Sequence, residues 1–432
     1  MSVYKLQFDN RLFFDNFAIT IKDLGLMVSK KIGDLKDLKN HRIAFVSDDN
    51  FVLTDSVFYV YKNEIDGAIV RKEQLSDELR DILLNLGFVI LLLNNEGEPV
   101  DIFYPVVNIT PKKGRISVLT SGTTGIPKVI PHSWDTLFTL RKKVDMPGFK
   151  WLLTYSPGTY AWFQMITMVM FIPDQCLIIS SSNYPEDIWM NGIIHGATAI
   201  SSTPTFWRYL FLKKNLEDLK KVNLKQITLG GETVDQSILD KLKYIFPSAR
   251  ITHIYAATEI GAVIIVNDGK EGFPIEWLKE YNKSDERPLI KIIDGKLWIK
   301  SPFSALNIND WYCTGDLVQI KEDRVIIIGR DSSEFVNVGG MKINVKVIES
   351  TLLKHPYILW CRVYSKPAPL VGQIVSADVV LHNEYKYLPK ENLEKTILDY
   401  LKSQGLFDWA LPRVFKFLDS IPLTNNFKTK YE

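Results

Sequence analysis

Cysteine is scarce in this sequence: Cys176, Cys313 and Cys361 are the only three in 432 residues, and they lie far apart. That excludes a disulfide framework and a Cys-x-x-Cys metal or redox pair, and it points to a reducing compartment. An excess of one charge is missing as well. The 52 basic residues nearly balance the 50 acidic ones, with no long block of either sign. Nothing in that balance supports a nucleic-acid or anionic-membrane partner. Long apolar runs are absent too. Leu86 to Leu93 falls far short of the ~20 residues a membrane-spanning helix needs, and Pro173 and Asp174 interrupt Met165 to Ile179. Met1 to Asn10 lacks the apolar core of a secretory signal. The expectation is a cytoplasmic protein, and the chain carries neither internal repeats nor low-complexity tracts.

What is present is a globular composition, 46% apolar and 24% charged, in a chain too long for one ordinary core. Arg42–Val46 and Val57–Tyr61 read as strands, being β-branched and aromatic. Glu73–Leu86 has helical spacing, and Phe88–Leu93 is a continuous apolar run suited to a buried strand. Gln236–Phe246 reads as a helix followed by a strand at Ile251–Tyr255. This alternation predicts α/β layers with a largely parallel sheet. From about Ile290 the texture changes to hairpins. Asp294-Gly295 separates Leu289–Ile293 from Lys296–Lys300, and Asp323-Arg324 separates Leu317–Lys321 from Val325–Ile328. Beyond Gly329-Arg330 a small α/β unit is expected, with helices at Lys346–Lys354 and Lys390–Gln404 and strands at Ile358–Tyr364 and Ile374–Leu381. The expected division is a large N-terminal domain, 1–330, and a small C-terminal domain, 331–432.

After the short strand Ile116–Leu119 comes Thr120-Ser121-Gly122-Thr123-Thr124-Gly125-Ile126-Pro127-Lys128. Two glycines open backbone geometry closed to other residues. Hydroxyls, exposed amides and the Lys128 cation are the donors a phosphate needs. Pro127 occupies the place of the second Walker glycine, so a simple P-loop kinase or GTPase is disfavoured.

This nine-residue string resembles the signature loop of the adenylate-forming superfamily, which includes acyl-CoA synthetases, peptide-synthetase adenylation domains and luciferases. Further segments resemble the family's other motifs in order. Leu229-Gly230-Gly231-Glu232 corresponds to the border of the adenine pocket. In Tyr255-Ala256-Ala257-Thr258-Glu259, the resemblance implies that Tyr255 packs on adenine, Thr258 touches the α-phosphate and Glu259 ligates magnesium. Each role suits its residue: an aromatic face for a base, a hydroxyl for a phosphate, a hard oxygen for Mg2+. Asp316, in Thr314-Gly315-Asp316, would accept hydrogen bonds from the ribose, with Arg330 assisting. Ile421 to Lys428 resembles the closing motif, whose lysine polarises the reacting carboxylate and α-phosphate.

The resemblance begins near Ile116 and leaves the first hundred residues unmatched, and the N-terminal subdomain is expected to be reduced. It implies a layered α/β large domain with a small hairpin or barrel region, and a small mobile C-terminal α/β domain pivoting at Asp331. Two departures stand out. The stretch from Gly329 to Lys342 is one residue longer than usual in its first half. Phe427 stands where a glycine is usual, restricting the backbone and adding bulk.

The carboxylate pocket is expected between the phosphate loop and the Thr-Glu motif, at Tyr155, Tyr160, Trp162, Phe163, Ser202 to Phe206, Gly230 and Ala256. Such an aromatic, uncharged lining suits an apolar or aromatic acid, though Trp162 and Phe163 fit core packing equally well. Ser156 to Trp162 lacks the aspartate usual in amino-acid-activating domains, which lowers that reading. His132 is placed either to cap the next helix or to face the pocket. The implied chemistry is ATP- and Mg2+-dependent formation of an acyl-adenylate, then a thioester with coenzyme A or with a carrier-protein phosphopantetheine. Because the sequence stops at Glu432, a carrier is expected to be a separate polypeptide. Alternatives are an amino-acid-activating enzyme, a nucleotide-binding homologue that has lost ligase activity, and a luciferase-like oxygenase.

Overall fold

The computed structural model describes residues 4–33, 38, 40–121, 127–140, 147–280, 288–305, 310–330, 335–338, 341–368, 372–424 and 427–429. Two mostly parallel sheets build the large domain. The first has six strands in the order Pro99–Phe103, Phe88–Leu93, Arg42–Ser47, Gly67–Arg71, Arg115–Ser121, Pro127–Ser133. Its four inner strands run parallel, and the two edge strands run antiparallel. Its central strand, Arg42–Ser47, is buried along five of its six residues, as a strand covered on both faces must be.

The second sheet has eight strands, Gly261–Val266, Arg250–Ala257, Gln226–Gly230, Ala199–Ser202, Lys150–Leu153, Cys176–Ile178, Arg11–Phe13 and Ala18–Thr20. All its inner pairings are parallel. Helix Tyr160–Phe171, capped by the Thr159 hydroxyl, is apolar on every side and is buried in the main core accordingly. The hairpin texture after Ile290 becomes a five-stranded antiparallel sheet, Phe273–Pro274, Arg324–Arg330, Tyr312–Lys321, Lys296–Lys300, Leu289–Ile293. A separate sheet of Met341–Asn344, Phe335–Val338, Gly372–Leu381, Ile358–Ala368 and Val414–Phe417, with helices Val345–Leu352 and Lys390–Ser403, forms the small domain.

Three sequence readings need correction. Val57–Tyr61 lies inside helix Asn50–Lys62, and the strand of this region is Gly67–Arg71. The helix is buried continuously from Val52 to Val60, so no polar face revealed its period. Asp49 caps it by accepting the Val52 N–H at 2.9 Å. The helix expected from Glu73 starts at Asp77, where the Ser76 hydroxyl caps it; the preceding Lys72–Gln74 is a single 3-10 turn. The second hairpin turns at Glu322-Asp323, which puts Arg324 inside its strand. There its guanidinium pairs with Asp268 at 2.6 Å and takes the carbonyls of Glu271, Lys270 and Gly272.

The small domain packs on the large one through an apolar seam. Leu359, Trp360, Val380, Ile421 and Phe427 share one core cluster with Phe206, Trp207, Leu210 and Phe211 of helix Pro204–Lys213. Asn383 also donates to the Leu212 carbonyl at 3.0 Å. This contact brings Lys428 to a cavity of the large domain.

Candidate active site

A cavity of about 450 Å³ opens at the carboxyl ends of the parallel strands Gln226–Gly230 and Arg250–Ala257. Open α/β sheets commonly bind ligands at that end, because the strands stop there and loops diverge. Thr120, Lys128, Tyr155, Tyr160, Gly231, Glu232, Tyr255, Ala256, Thr258, Glu259, Asp316, Arg330 and Lys428 all border it. Residues more than 300 positions apart in sequence thus share one space.

On one side, the Tyr255 hydroxyl donates to Oδ2 of Asp316. Arg330 reaches the other carboxylate oxygen through Nε at 3.3 Å. Asp316 and Arg330 face each other across neighbouring strands, so β-pairing itself sets their approach. The Asp316 N–H donates to the Thr314 hydroxyl at 3.1 Å, fixing the turn. Burial, and then the negative Asp316, push the Tyr255 phenol well above its ordinary pKa. It therefore stays protonated and remains a donor.

On the opposite side lies Lys428. A Cβ built on Gly231 would sit 3.3 Å from the lysine Cε and 3.6 Å from Nζ, so the glycine leaves room for the ammonium. Gly231 also has φ +82°, where a side chain is strained. The Lys428 side chain is exposed at the cavity, and the protein around it encloses it only in part. That enclosure lowers its pKa; the Glu232 charge raises it and Arg330 lowers it further.

Glu232 borders the cavity, but its carboxylate is committed to backbone. It accepts Thr205 N–H at 3.1 Å and Thr429 N–H at 3.0 Å. Phe427 has φ +50° and is only 4% exposed. A left-handed residue with a Cβ costs about 1–2 kcal/mol, whereas burying a phenylalanine contributes about 1.5–3 kcal/mol. Burial offsets the strain. The ring meets Phe206 edge-on at 5.6 Å, and the carbonyl accepts the Thr203 hydroxyl at 2.6 Å.

Thr120 and Lys128 are paired across the antiparallel strands Arg115–Ser121 and Pro127–Ser133. Ser121 ends the first of these strands. Gly122, Thr123, Thr124, Gly125 and Asp331 lie outside the described residues. His132 neither caps the next helix, a task Ser133 performs, nor borders the cavity. It is fully buried, with Nε2 2.9 Å from the Thr258 carbonyl and Nδ1 3.2 Å from the Thr136 hydroxyl. Burial pulls its pKa down to about 4. A neutral His132 thus ties the phosphate-loop hairpin to the Thr258-Glu259 turn.

Of the expected acid-pocket residues, Tyr155, Tyr160 and Ala256 reach the cavity and the others do not. Phe163, Ser202 and Thr203 are buried in the fold, and Gly230 lies beside the Tyr155 hydroxyl at a Cβ distance of 3.7 Å. Trp162 borders a separate chamber of about 20 Å³ behind Tyr155, with Arg71, Leu153 and Phe427. Burial raises the Tyr155 and Tyr160 phenols above their usual pKa, and the Ser201 hydroxyl donates to Tyr155 at 3.3 Å. Tyr155, Tyr160 and Ala256 carry no charge, but Glu232 and Lys428 line the same cavity. Thr159, Val234, His253, Ile326 and Ile327 also line the cavity. They carry no motif, so only the fold could reveal them.

Glu259 offers one half-buried carboxylate at the cavity, and among the described residues no cluster of three or more acidic, His or Cys side chains could cage a metal. That donor set fits Mg2+ arriving with a nucleotide, since this ion is held by one or two carboxylates plus phosphates. Among the described residues no helix is long and apolar enough to cross a membrane.

Known proteins resemble this chain in sequence and in fold. The family model for the AMP-binding enzyme matches residues 46–305, and that for the AMP-binding enzyme C-terminal domain matches residues 347–428. The mouse protein acyl-coenzyme A synthetase ACSM4, mitochondrial, is 25% identical over 350 residues, 72% of this chain and 59% of that protein. Enterobactin synthase component E of Escherichia coli is 23% identical, over 71% of this chain and 61% of its own length. The chain thus spans about three fifths of the length of the curated relatives it matches. The anthranilate CoA ligase AuaEII, solved in complex with anthranoyl-AMP, shares the fold at a TM-score of 0.74 and 16% identity, covering 99% of this chain and 96% of that one. The family match covers more than half of the sequence, and the chain belongs to the AMP-binding enzyme family.

Proposed function

We propose that this chain uses ATP to activate a carboxylic acid as an acyl-adenylate and then transfers the acyl group to a thiol. One observation carries the reading: Lys428 of the small domain enters the same cavity as the Tyr255–Asp316–Arg330 cluster and the Thr120–Lys128 hairpin. The division behind it, 1–330 and 331–432 with a pivot at Asp331, is part of the proposal.

Tyr255 offers a ring to adenine beside Gly231 and Ala256, and Asp316 offers its carboxylate to ribose hydroxyls with Arg330 beside it. Thr120 and Lys128 hold the β- and γ-phosphates, together with Ser121 to Gly125, and Thr258 donates to the α-phosphate. Mg2+ held by Glu259 would neutralise phosphate charge. The acid lies toward Tyr155 and Tyr160, whose aromatic faces suit an apolar or aryl acid; the AuaEII complex, with its bound anthranoyl-AMP, supports that choice.

A carboxylate oxygen attacks the α-phosphorus. The new P–O bond forms as the bond to the β-phosphate oxygen breaks, and pyrophosphate leaves. Lys428 stabilises the charge that develops between carboxylate and phosphate, where a preorganised cation contributes most. Displacement of AMP by a thiol completes the cycle, the acceptor being coenzyme A or a carrier phosphopantetheine.

Pyrophosphate exchange into ATP, run with a panel of fatty, aryl and amino acids, tests the reading. The expected result is exchange that depends on an apolar or aryl acid. Exchange with amino acids alone redirects the substrate class. Nucleotide binding with no exchange across the panel overturns the enzyme.

A further inference from the structure

Phe427 stands where the closing motif usually has a glycine, and the large domain holds it at both ring and carbonyl. Its ring packs on Phe206, its carbonyl takes the Thr203 hydroxyl, and it borders the chamber behind Tyr155. Two residues later, Thr429 is held as firmly: its N–H donates to Glu232 at 3.0 Å, and its hydroxyl accepts the Trp360 indole N–H at 3.1 Å. Between these anchors, Lys428 N–H meets the Thr424 hydroxyl at 3.2 Å, and Thr424 N–H donates back to the Lys428 carbonyl at 2.8 Å. The lysine backbone is clamped, and its side chain alone enters the cavity.

We propose that Phe427 is a positioning residue, whose buried ring pins the closing loop to the large domain so that Lys428 is aimed into the cavity before substrates arrive. A glycine at this place suits the left-handed backbone but supplies no ring to seat between the domains. The ring replaces backbone freedom with an anchor, trading mobility of the loop for a preset lysine. Because the ring also borders the chamber with Tyr155 and Trp162, the seating of the lysine is coupled to the wall behind the acid end of the cavity. The catalytic consequence rests on the adenylation reading above; the anchoring itself does not.

The test uses full-length wild type, Phe427→Gly and Phe427→Leu. Acylation of Lys428 by a small amine-reactive ester at one fixed pH is read by mass spectrometry beside pyrophosphate exchange and thermal melting. In Phe427→Gly, Lys428 labelling is expected to rise several-fold. Exchange kcat should fall by roughly 100-fold, the scale of a misplaced catalytic group, with the KM for ATP within about threefold and the melting transition retained. Phe427→Leu, which keeps a buried side chain, is expected to recover most of both readouts. Altered labelling with no exchange in any form, wild type included, supports the anchor while the adenylation reading fails. Unchanged Lys428 labelling in folded Phe427→Gly overturns the proposal. So does a Leu variant as defective as Gly.

Discussion

The Thr429 N–H and the Thr205 N–H meet on the two oxygens of a single carboxylate, that of Glu232, at 3.0 and 3.1 Å. One side chain thus joins the start of helix Pro204–Lys213 to the residue next to Lys428. Glu232→Gln keeps the size but presents an amide NH2 to one of two backbone donors. Leaving a buried donor unpaired costs about 1–3 kcal/mol. The variant should therefore hold the closing loop less firmly, and exchange should drop by roughly tenfold or more with ATP affinity nearly unchanged. Equal exchange rates in the two proteins would show that the carboxylate is dispensable.

Lys428→Ala should lower exchange kcat by roughly 10²- to 10³-fold, the range found when one preorganised stabiliser of developing charge is removed. The wild-type enzyme should also lose activity on the alkaline side. Enclosure holds the Lys428 pKa below its ordinary 10.5, so the charged form disappears earlier than for a surface lysine. A pH–rate profile flat up to pH 10.5 would contradict that role.

Asp316→Asn removes the charge that receives Tyr255 and Arg330. Hydrogen bonds to charged groups contribute about 1.5–3 kcal/mol, so the Kd for AMP should rise roughly 10- to 100-fold. Calorimetric titration measures this without any acid substrate. The fold should survive, because Thr314 and the strand pairing hold the turn independently.

His132 gives stability a pH dependence whose sign follows from its burial. The folded form has a pKa of about 4 against 6.5 for an exposed imidazole, so between these values the unfolded chain binds more protons. Stability from this group is complete above about pH 6.5 and is lost as pH falls toward 4, by on the order of 3 kcal/mol. Burial pulls His253 and His382 in the same direction. Urea unfolding of wild type should weaken from pH 7.5 to pH 5, and His132→Asn should show a shallower slope. Identical slopes would remove His132 from this account.

Trp360→Ala tests the apolar seam. Trp360 is 2% exposed and belongs to the large-domain cluster although it stands on the small-domain strand Ile358–Ala368. Truncating a buried tryptophan costs about 3–5 kcal/mol. Solution scattering should detect a larger radius as the domains separate, together with a less cooperative melt. Loss of stability with unchanged dimensions would mean that the remaining seam suffices.

Some of this was legible in single residues. Asp294-Gly295 can hardly be read except as a hairpin turn, and Phe88–Leu93 only as a buried segment, since each pattern follows from local backbone or burial demands. Val57–Tyr61 misled because a helix buried on all sides loses the polar face that marks its period. Trp162 and Phe163 were ambiguous for a related reason: an aromatic side chain is equally at home in a core and in a pocket wall, and only packing separates the two.

The sequence alone determined the α/β character, the hairpin region and the ordered motifs that led to the AMP-binding family, because these depend on local spacing and residue chemistry. Tertiary structure decided that Tyr155 reaches the cavity while Trp162 stands behind it. It also decided that Glu232 serves two backbone amides, and that Phe427 is buried 5.6 Å from Phe206 beside the lysine it flanks. Those facts join residues hundreds of positions apart, and such neighbours are set by the packing of sheets and domains rather than by anything a short stretch of chain encodes.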